Sequence, residues 1–305
     1  MSIMHPFTIF VDSNCDLPSK YFQEYNIKIL PMPFELDGKP HDQGYWQGIS
    51  GKEFYDTLRK GGVAKTSQIN PITFETIFTE YIEQERDALF LILSSGLSST
   101  LNNAQIALKQ IKETYPDCGI HVIDTVSATV GHGLLAILAA KKRSEGLSVA
   151  ETAAWLEEKK QHCIGLFTVD DLMYLHRGGR LSKLSAFAGS VLGIKPLLNI
   201  GPDGTLALKD KSRGKKAALE MMVNRLKECV APDAALDYVM VSHTDCPADA
   251  QTLTEMIKAS VNVREVVCEL MGPVIGAHLG PGSLVLLFES DMNRDEYEEK
   301  FYNRK

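Results

Sequence analysis

The sequence predicts an α/β fold of two domains, with a Rossmann-like parallel sheet over residues 1–160 and a mixed α/β sheet over 161–305. Three observations lead there. The chain's 305 residues exceed what one compact core usually fills, which favours two units. The first half alternates short apolar runs, such as PFTIFV and DALFLI, with segments of helical period, as parallel strands joined by helical crossovers require. The second half carries a hairpin signal, Gly201-Pro202-Asp203-Gly204 between IKPLLNI and TLALKDK, which implies antiparallel pairing as well.

Taken in order, PFTIFVDSN reads as a buried strand running into a polar turn. LPSKYFQEYN then begins a helix with Pro18 near its first turn. IKILPMPFELDGK is extended and bent by its prolines, and GISGKEFYDTLRKGG is a helix stopped at Gly61-Gly62. VAKTSQINP reads as a loop. Residues 72–86 are helical, DALFLILSS is a buried strand, and STLNNAQIALKQIKETY is a helix with Ser98 and Ser99 as N-cap candidates. CGIHVID is a strand, followed by the helices SATVGHGLLAILAAKKRSEG and SVAETAAWLEEKKQH. In the second half CIGLFTVDDLMYL precedes a basic turn, HRGGRLSK, and an apolar helix ending at Gly193. RGKKAALEMMVNRLKE and PADAQTLTEMIKAS are helices, and DYVMVSH, VREVVCEL, PVIGAHLG and SLVLLFES are strands. The charged end, DMNRDEYEEKFYNRK, is expected to be a solvated tail.

Composition narrows the function. A net charge of −7 opposes a nucleic-acid groove, because phosphate binding needs positive charge that outweighs its surroundings. The start lacks a basic n-region and meets Asp12 too early for a signal sequence, and no apolar run is long enough to span a bilayer, so the chain reads as cytoplasmic with no integral membrane segment. Cys15, Cys118, Cys163, Cys229, Cys246 and Cys268 are scattered without metal or redox spacing, and burial as small hydrophobes accounts for them.

Four polar constellations stand out. SSGLSST lies where a strand exits into a helix; free backbone N–H groups and the helix dipole there favour an anion, and Ser94, Ser95, Ser98, Ser99 and Thr100 add hydroxyls. An ordinary serine-rich cap explains the same letters. The run nearly spells a hydrolase nucleophile elbow, but Thr100 stands where a glycine is needed; a triad of Ser98, Asp124 and His278 is the enzymatic alternative. VAKTSQINP presents Lys65 and Thr66 without the glycines of a phosphate-binding loop. HRGGRLSK and KDKSRGKK supply Arg177, Arg180, Lys183, Arg213, Lys215 and Lys216, which suit an oxyanion or an acidic partner and equally a solvated charge run. Last, MGPVIGAHLGPGSL sets His278 among Gly272, Gly276, Gly280 and Gly282, suggesting close backbone approach around a ligand. No partner ligands make His278 a metal site, and Asp170-Asp171 reads as a helix cap.

In register, VDSNCDLP, the TSQ loop, LSSGLSST, VIDT, VDDLMYLHRGGRLS, VLGIKPLLNI, GPDGTL, KSRGKKA and IGAHLGPGSL resemble the DegV family across nearly the whole chain. The resemblance implies a non-catalytic carrier that buries one long-chain fatty acid between two domains, with no other cofactor. It further implies that the carrier presents the carboxylate to a separate ATP-dependent fatty-acid kinase, whose acyl phosphate product enters phospholipid synthesis. By the same resemblance Thr66 and Ser98 bind the carboxylate, with Ser95 and His278 secondary, and Arg180 and Arg213 engage the kinase or the phosphate. The family often has glycine where this chain has Ser99, and often proline directly after TSQ, where this chain has Ile69-Asn70-Pro71. The helix around Leu134 to Leu138 and the segment Phe187 to Leu192 are the expected cavity walls. A serine esterase using Ser98 and a lipid-sensing regulatory protein remain the alternatives.

Overall fold

The computed structural model describes residues 6–41, 46–180 and 193–302. Lys183, the expected helix ending at Gly193 and the expected wall Phe187 to Leu192 lie outside the described residues.

The first sheet is parallel, in the order β2 (Ile27–Leu30), β1 (Phe7–Asp12), β6 (Asp87–Ile92), β7 (Ile120–Asp124). Buried on both faces, β1 and β6 read as continuous apolar runs rather than alternating ones. One face carries Phe10 and Phe90, stacked at 4.5 Å, under α3 (Pro71–Glu83) and α4 (Thr100–Thr114). The other face carries Ile9, Val11, Leu89 and Leu91 against α5 (Val130–Ser144).

The second sheet is mixed, in the order β10 (Leu206–Arg213), β9 (Ile194–Ile200), β8 (Cys163–Thr168), β13 (Leu284–Glu289), β11 (Ala235–His243), β12 (Asn262–Leu270). Its outer face, with Leu166, Val239, Val241 and Leu286, packs under α8 (Lys215–Cys229) and α9 (Pro247–Ser260). Its inner face, with Phe167, Leu198, Met240 and Leu287, joins the same core cluster as α5. Because α5 is apolar on every side from Val130 to Ala140, it must be wrapped all round, and the two sheets wrap it. α6 (Val149–Lys159), opened by a Ser148–Glu151 capping box, leads through a short turn of helix to β8.

Three expectations are corrected. VAKTSQINP is not all loop: Ala64–Thr66 forms β5, paired with β3 (Phe34–Leu36), which also pairs with β4 (Lys39–His41). The resulting small antiparallel sheet packs on α2 (Gly51–Arg59). PVIGAHLG is not a strand but α10 (Pro273–Leu279), with Pro273 in its first turn and Gly280 at φ 67° just past its end. That proline-in, glycine-out punctuation outweighs the β-branched Val274-Ile275 pair. The charged end is not a free tail: Arg294–Phe301 forms α11, started by a reciprocal Asn293–Glu296 capping box.

Arg294 is 3% exposed and holds the two sheets together. Its Nε donates to Cys163 O at 3.1 Å, and its Nη1 donates to Val126 O at 2.6 Å and Gly201 O at 3.2 Å. The three carbonyls belong to β8, the exit of β7 and the β9–β10 turn. Burial pulls its pKa down to about 10, so it stays charged at neutral pH. Removing it strands buried carbonyls, each costing about 1–3 kcal/mol at most. Arg294→Ala should therefore lower unfolding free energy by about 2–4 kcal/mol in denaturant titration, whereas a loss under 0.5 kcal/mol would refute the clamp.

Candidate functional site

A cavity of about 910 Å³, open mouth included, lies between the two sheets beyond the N-terminus of α5. Its walls are mostly apolar, with Met32 and Leu93 from the first sheet's side and Phe167, Ile200, Val285 and Leu287 from the second. The polar lining includes Thr66, Ser98, Arg180 and His278, so four of the six residues singled out from the sequence share one cavity.

The serine loop is shaped by its neighbours. Leu97 N and Ser98 N both donate to Ser94 O at 3.0 Å, folding the loop into a turn before α4. Ser94 Oγ donates to Gly204 O at 2.8 Å, and Gly96 lies so close to that turn that a Cβ there would sit 2.4 Å from Gly204 O. The β9–β10 hairpin thereby holds the loop. Ser98 is 8% exposed; its Oγ accepts from Thr100 N at 3.2 Å and lies 3.0 Å from Thr100 Oγ1. With Thr100 Oγ1 donating to it, the Ser98 proton is free for an anion.

Thr66 enters from β5, opposite Phe34, and its Oγ1 lies 2.9 Å from His278 Nε2. Burial, reinforced by the positive charge of Arg180, pushes the His278 pKa down to about 4, so the ring is neutral at pH 7. Its buried Nδ1 has no partner among the described residues and rests against Gly178, where a Cβ would come within 2.2 Å. We assign the proton to Nε2, because this leaves an unpaired lone pair at Nδ1 rather than a costlier unpaired N–H. Thr66 Oγ1 then accepts from His278, which leaves its own proton available to the cavity. Arg180 Nε donates to Leu97 O at 3.0 Å and its Nη1 donates to Gly178 O, which fixes the cation between the serine loop and the histidine.

The remaining sequence candidates lie elsewhere. Ser95 does not line the cavity: its Oγ donates to Asp124 Oδ2 at 2.5 Å and its N to Asp124 Oδ1 at 3.2 Å. Arg213 is exposed at the end of β10, outside the cavity lining. Of the other described basic residues, Lys215 pairs with Asp170 at 2.7 Å and Arg177 lies over the Tyr174 ring. Asp171 accepts from Met173 N as a local cap. The triad considered for a hydrolase is not assembled, since Asp124 is engaged by Ser95 and Val126 N while His278 bonds Thr66. Leu134 to Leu138 is core packing between the sheets, not cavity wall. Among the described residues no cluster of His, Cys, Asp and Glu could hold a metal ion, and no helix is long and apolar enough to cross a membrane.

Beneath the cavity the polar turn after β1 forms a buried hydrogen-bonded network. Asp12 accepts from Leu93 N at 2.7 Å and from Asn14. Asp16 accepts from Thr129 Oγ1 at 2.6 Å and from Gly272 N at 2.8 Å, where α10 begins. Asn14 bridges onward to Thr129 N and to His132 Nδ1. The contacts help hold Thr129 at φ 51°, a strained conformation for a β-branched residue at the cavity wall. Polar spacing D-x-N-x-D directly after a fully apolar strand was the available signal.

Comparisons with known proteins agree on one relationship. A family model described as "Uncharacterised protein, DegV family" matches residues 6–291. A DegV domain-containing protein of Clostridium perfringens is 38% identical over 289 residues, covering 94% of this chain and 99% of its own. A DegV lipid-binding protein from Thermotoga maritima superposes with a TM-score of 0.81 at 30% identity, covering 94% of this chain and 99% of its own. A DegV family protein from Thermus thermophilus, described by its fatty-acid binding, gives 0.84 at 26% identity over 93% and 99%.

The buried carboxyls make a titration prediction. Burial raises Asp12 to about 7 and Asp16 to about 8 from an ordinary 3.8. Between those values the folded chain holds protons that the unfolded chain has released. Their contribution to stability is therefore complete below about pH 4 and is lost as pH rises through 7 and 8. Asp16→Asn, which keeps an acceptor for Gly272 N, should flatten the decline of melting temperature between pH 5 and 8; an unchanged slope would contradict the assignment.

Proposed function

Because the chain belongs to the DegV family, we propose that it binds one long-chain fatty acid between a lobe of residues 1–160 and one of residues 161–305. The carboxylate is held by the hydroxyls of Thr66 and Ser98. The observation that carries this reading is the convergence of both hydroxyls, the His278 ring and the Arg180 cation on one apolar cavity. An unpaired carboxylate is prohibitively costly to bury, and the two hydroxyl protons, beside the Arg180 cation, replace its water. A tail of roughly 14–16 methylenes has about 11–13 kcal/mol of gross burial to contribute, at about 0.8 kcal/mol each, before ordering costs. The DegV relatives described as lipid or fatty-acid binding support the ligand class.

The finer reading is a non-catalytic cytoplasmic carrier that presents the carboxylate to a separate ATP-dependent kinase for acyl-phosphate formation. Arg180 supports it, since it lines both the cavity and an adjoining surface depression with Ser95, Ser98 and Ser99. A guanidinium there suits the charge of a transferring phosphoryl group. Arg213, exposed at the end of β10, is assigned to the same partner by the family resemblance alone. His278, bonded to Thr66, keeps that hydroxyl aimed at the ligand, and Ser95 shapes the rim through Asp124.

Organic extraction of the folded protein with mass spectrometry should recover about one fatty acid per chain. Thr66→Ala and Ser98→Ala should each weaken binding roughly 10-fold or more, as expected for a hydrogen bond to a charged group, with melting little changed. A folded chain that carries no lipid and binds none when offered would remove the reading.

A further inference from the structure

Gly165 lies in the interior of β8, and it is the one glycine inside a strand among the described residues. A glycine there weakens a strand, so its presence asks for a reason: a bulge, a positive φ, close packing, or the approach of something to the backbone. Three of these fail. The β8–β13 register runs unbroken from Leu284 opposite Thr168 to Glu289 opposite Cys163, so there is no bulge. Gly165 is not among the residues with positive φ. Nor does it collide with its surroundings: a Cβ would meet one atom within 4 Å, Leu287 Cδ1 at 3.3 Å, a tight contact rather than a clash. By contrast Gly96, Gly131 and Gly178 would each collide at 2.4 Å or less.

What Gly165 faces is the cavity, of which it forms the floor. Leu287 stands directly opposite it on β13, and Leu166 opposite Asn199 on β9 brings Ile200 alongside. Leu287 already packs on Gly131 under the start of α5, its Cδ1 2.3 Å from where a Cβ on that glycine would be, which leaves it little room on that side. Any side chain at 165 must therefore project into the cavity between Ile200 and Leu287.

Resting on the fatty-acid reading above, we propose that Gly165 is a specificity-determining residue that keeps the cavity floor open, so that a long acyl chain can cross from Ile200 to Leu287. The missing side chain trades strand stability for ligand length. Valine at this position occupies the space an acyl chain would use, which should shorten the acid that fits, while the 3.3 Å approach of its Cβ to Leu287 offsets its better strand propensity.

The test compares binding of hexadecanoate and decanoate by calorimetry to wild type, Gly165→Ala and Gly165→Val, with thermal melting of each unliganded protein. The expected result for Gly165→Val is a roughly 10- to 100-fold loss for hexadecanoate, decanoate within a few-fold of wild type, and a cooperative melting transition that shows the variant is folded. Gly165→Ala should shift the ratio in the same direction by a few-fold, and decides the matter should the valine protein fail to fold. Wild type that binds hexadecanoate beside variants with an unchanged ratio overturns this inference alone. Wild type that binds neither acid overturns the fatty-acid reading and this inference with it.

Discussion

A helix apolar on every side has to be enclosed, and that constraint on α5 organises the molecule. Val130 to Ala140 cannot face water, so the parallel sheet covers one side and the mixed sheet the other, in one continuous core. The helix also acts as a spacer. Where it ends, beyond Thr129, the two sheets still face each other with nothing as thick to fill the gap, and the cavity occupies that place. The cavity is thus a consequence of how the sheets are held apart.

Polar contacts then fix the edges of that space. Arg294 ties β8, the β7 exit and the β9–β10 turn; the same turn props Ser94 and Gly96; and Asp16 joins the start of α10 to Thr129. The hydroxyls of Thr66, at the end of β5, and Ser98, in the turn before α4, are anchored by His278 and by the β9–β10 turn. A hydrogen-bonded frame of this kind can present fixed donors to a carboxylate without reorganising, which lowers the cost of taking the anion out of water.

Much of this was legible from residue patterns because the patterns were local. The continuous apolar strands PFTIFV and DALFLI, the GPDG hairpin and the serine-rich helix start all declare themselves within a few residues. The misreadings arose where tertiary context decides. Val274-Ile275 looks like strand until Pro273 and Gly280 are weighed as helix punctuation, and Arg294 looks solvated until its three distant carbonyl partners are known. Leu134 to Leu138 has the composition of a lipid-facing wall but is consumed by core packing. The pairing of Thr66 with His278 spans 212 positions, and no local rule announces it. Gly165 had no signal beyond being a glycine in a strand, and its significance appears only once the empty space above it is seen.

The most direct measurement is a crystal structure of the protein with hexadecanoate. The account predicts carboxylate oxygens within about 2.5–3.0 Å of Thr66 Oγ1 and Ser98 Oγ, with the tail running over Gly165 between Ile200 and Leu287. A carboxylate seated at Ser95 and Asp124 on the rim, or an acid bound outside the seam between the sheets, would contradict it.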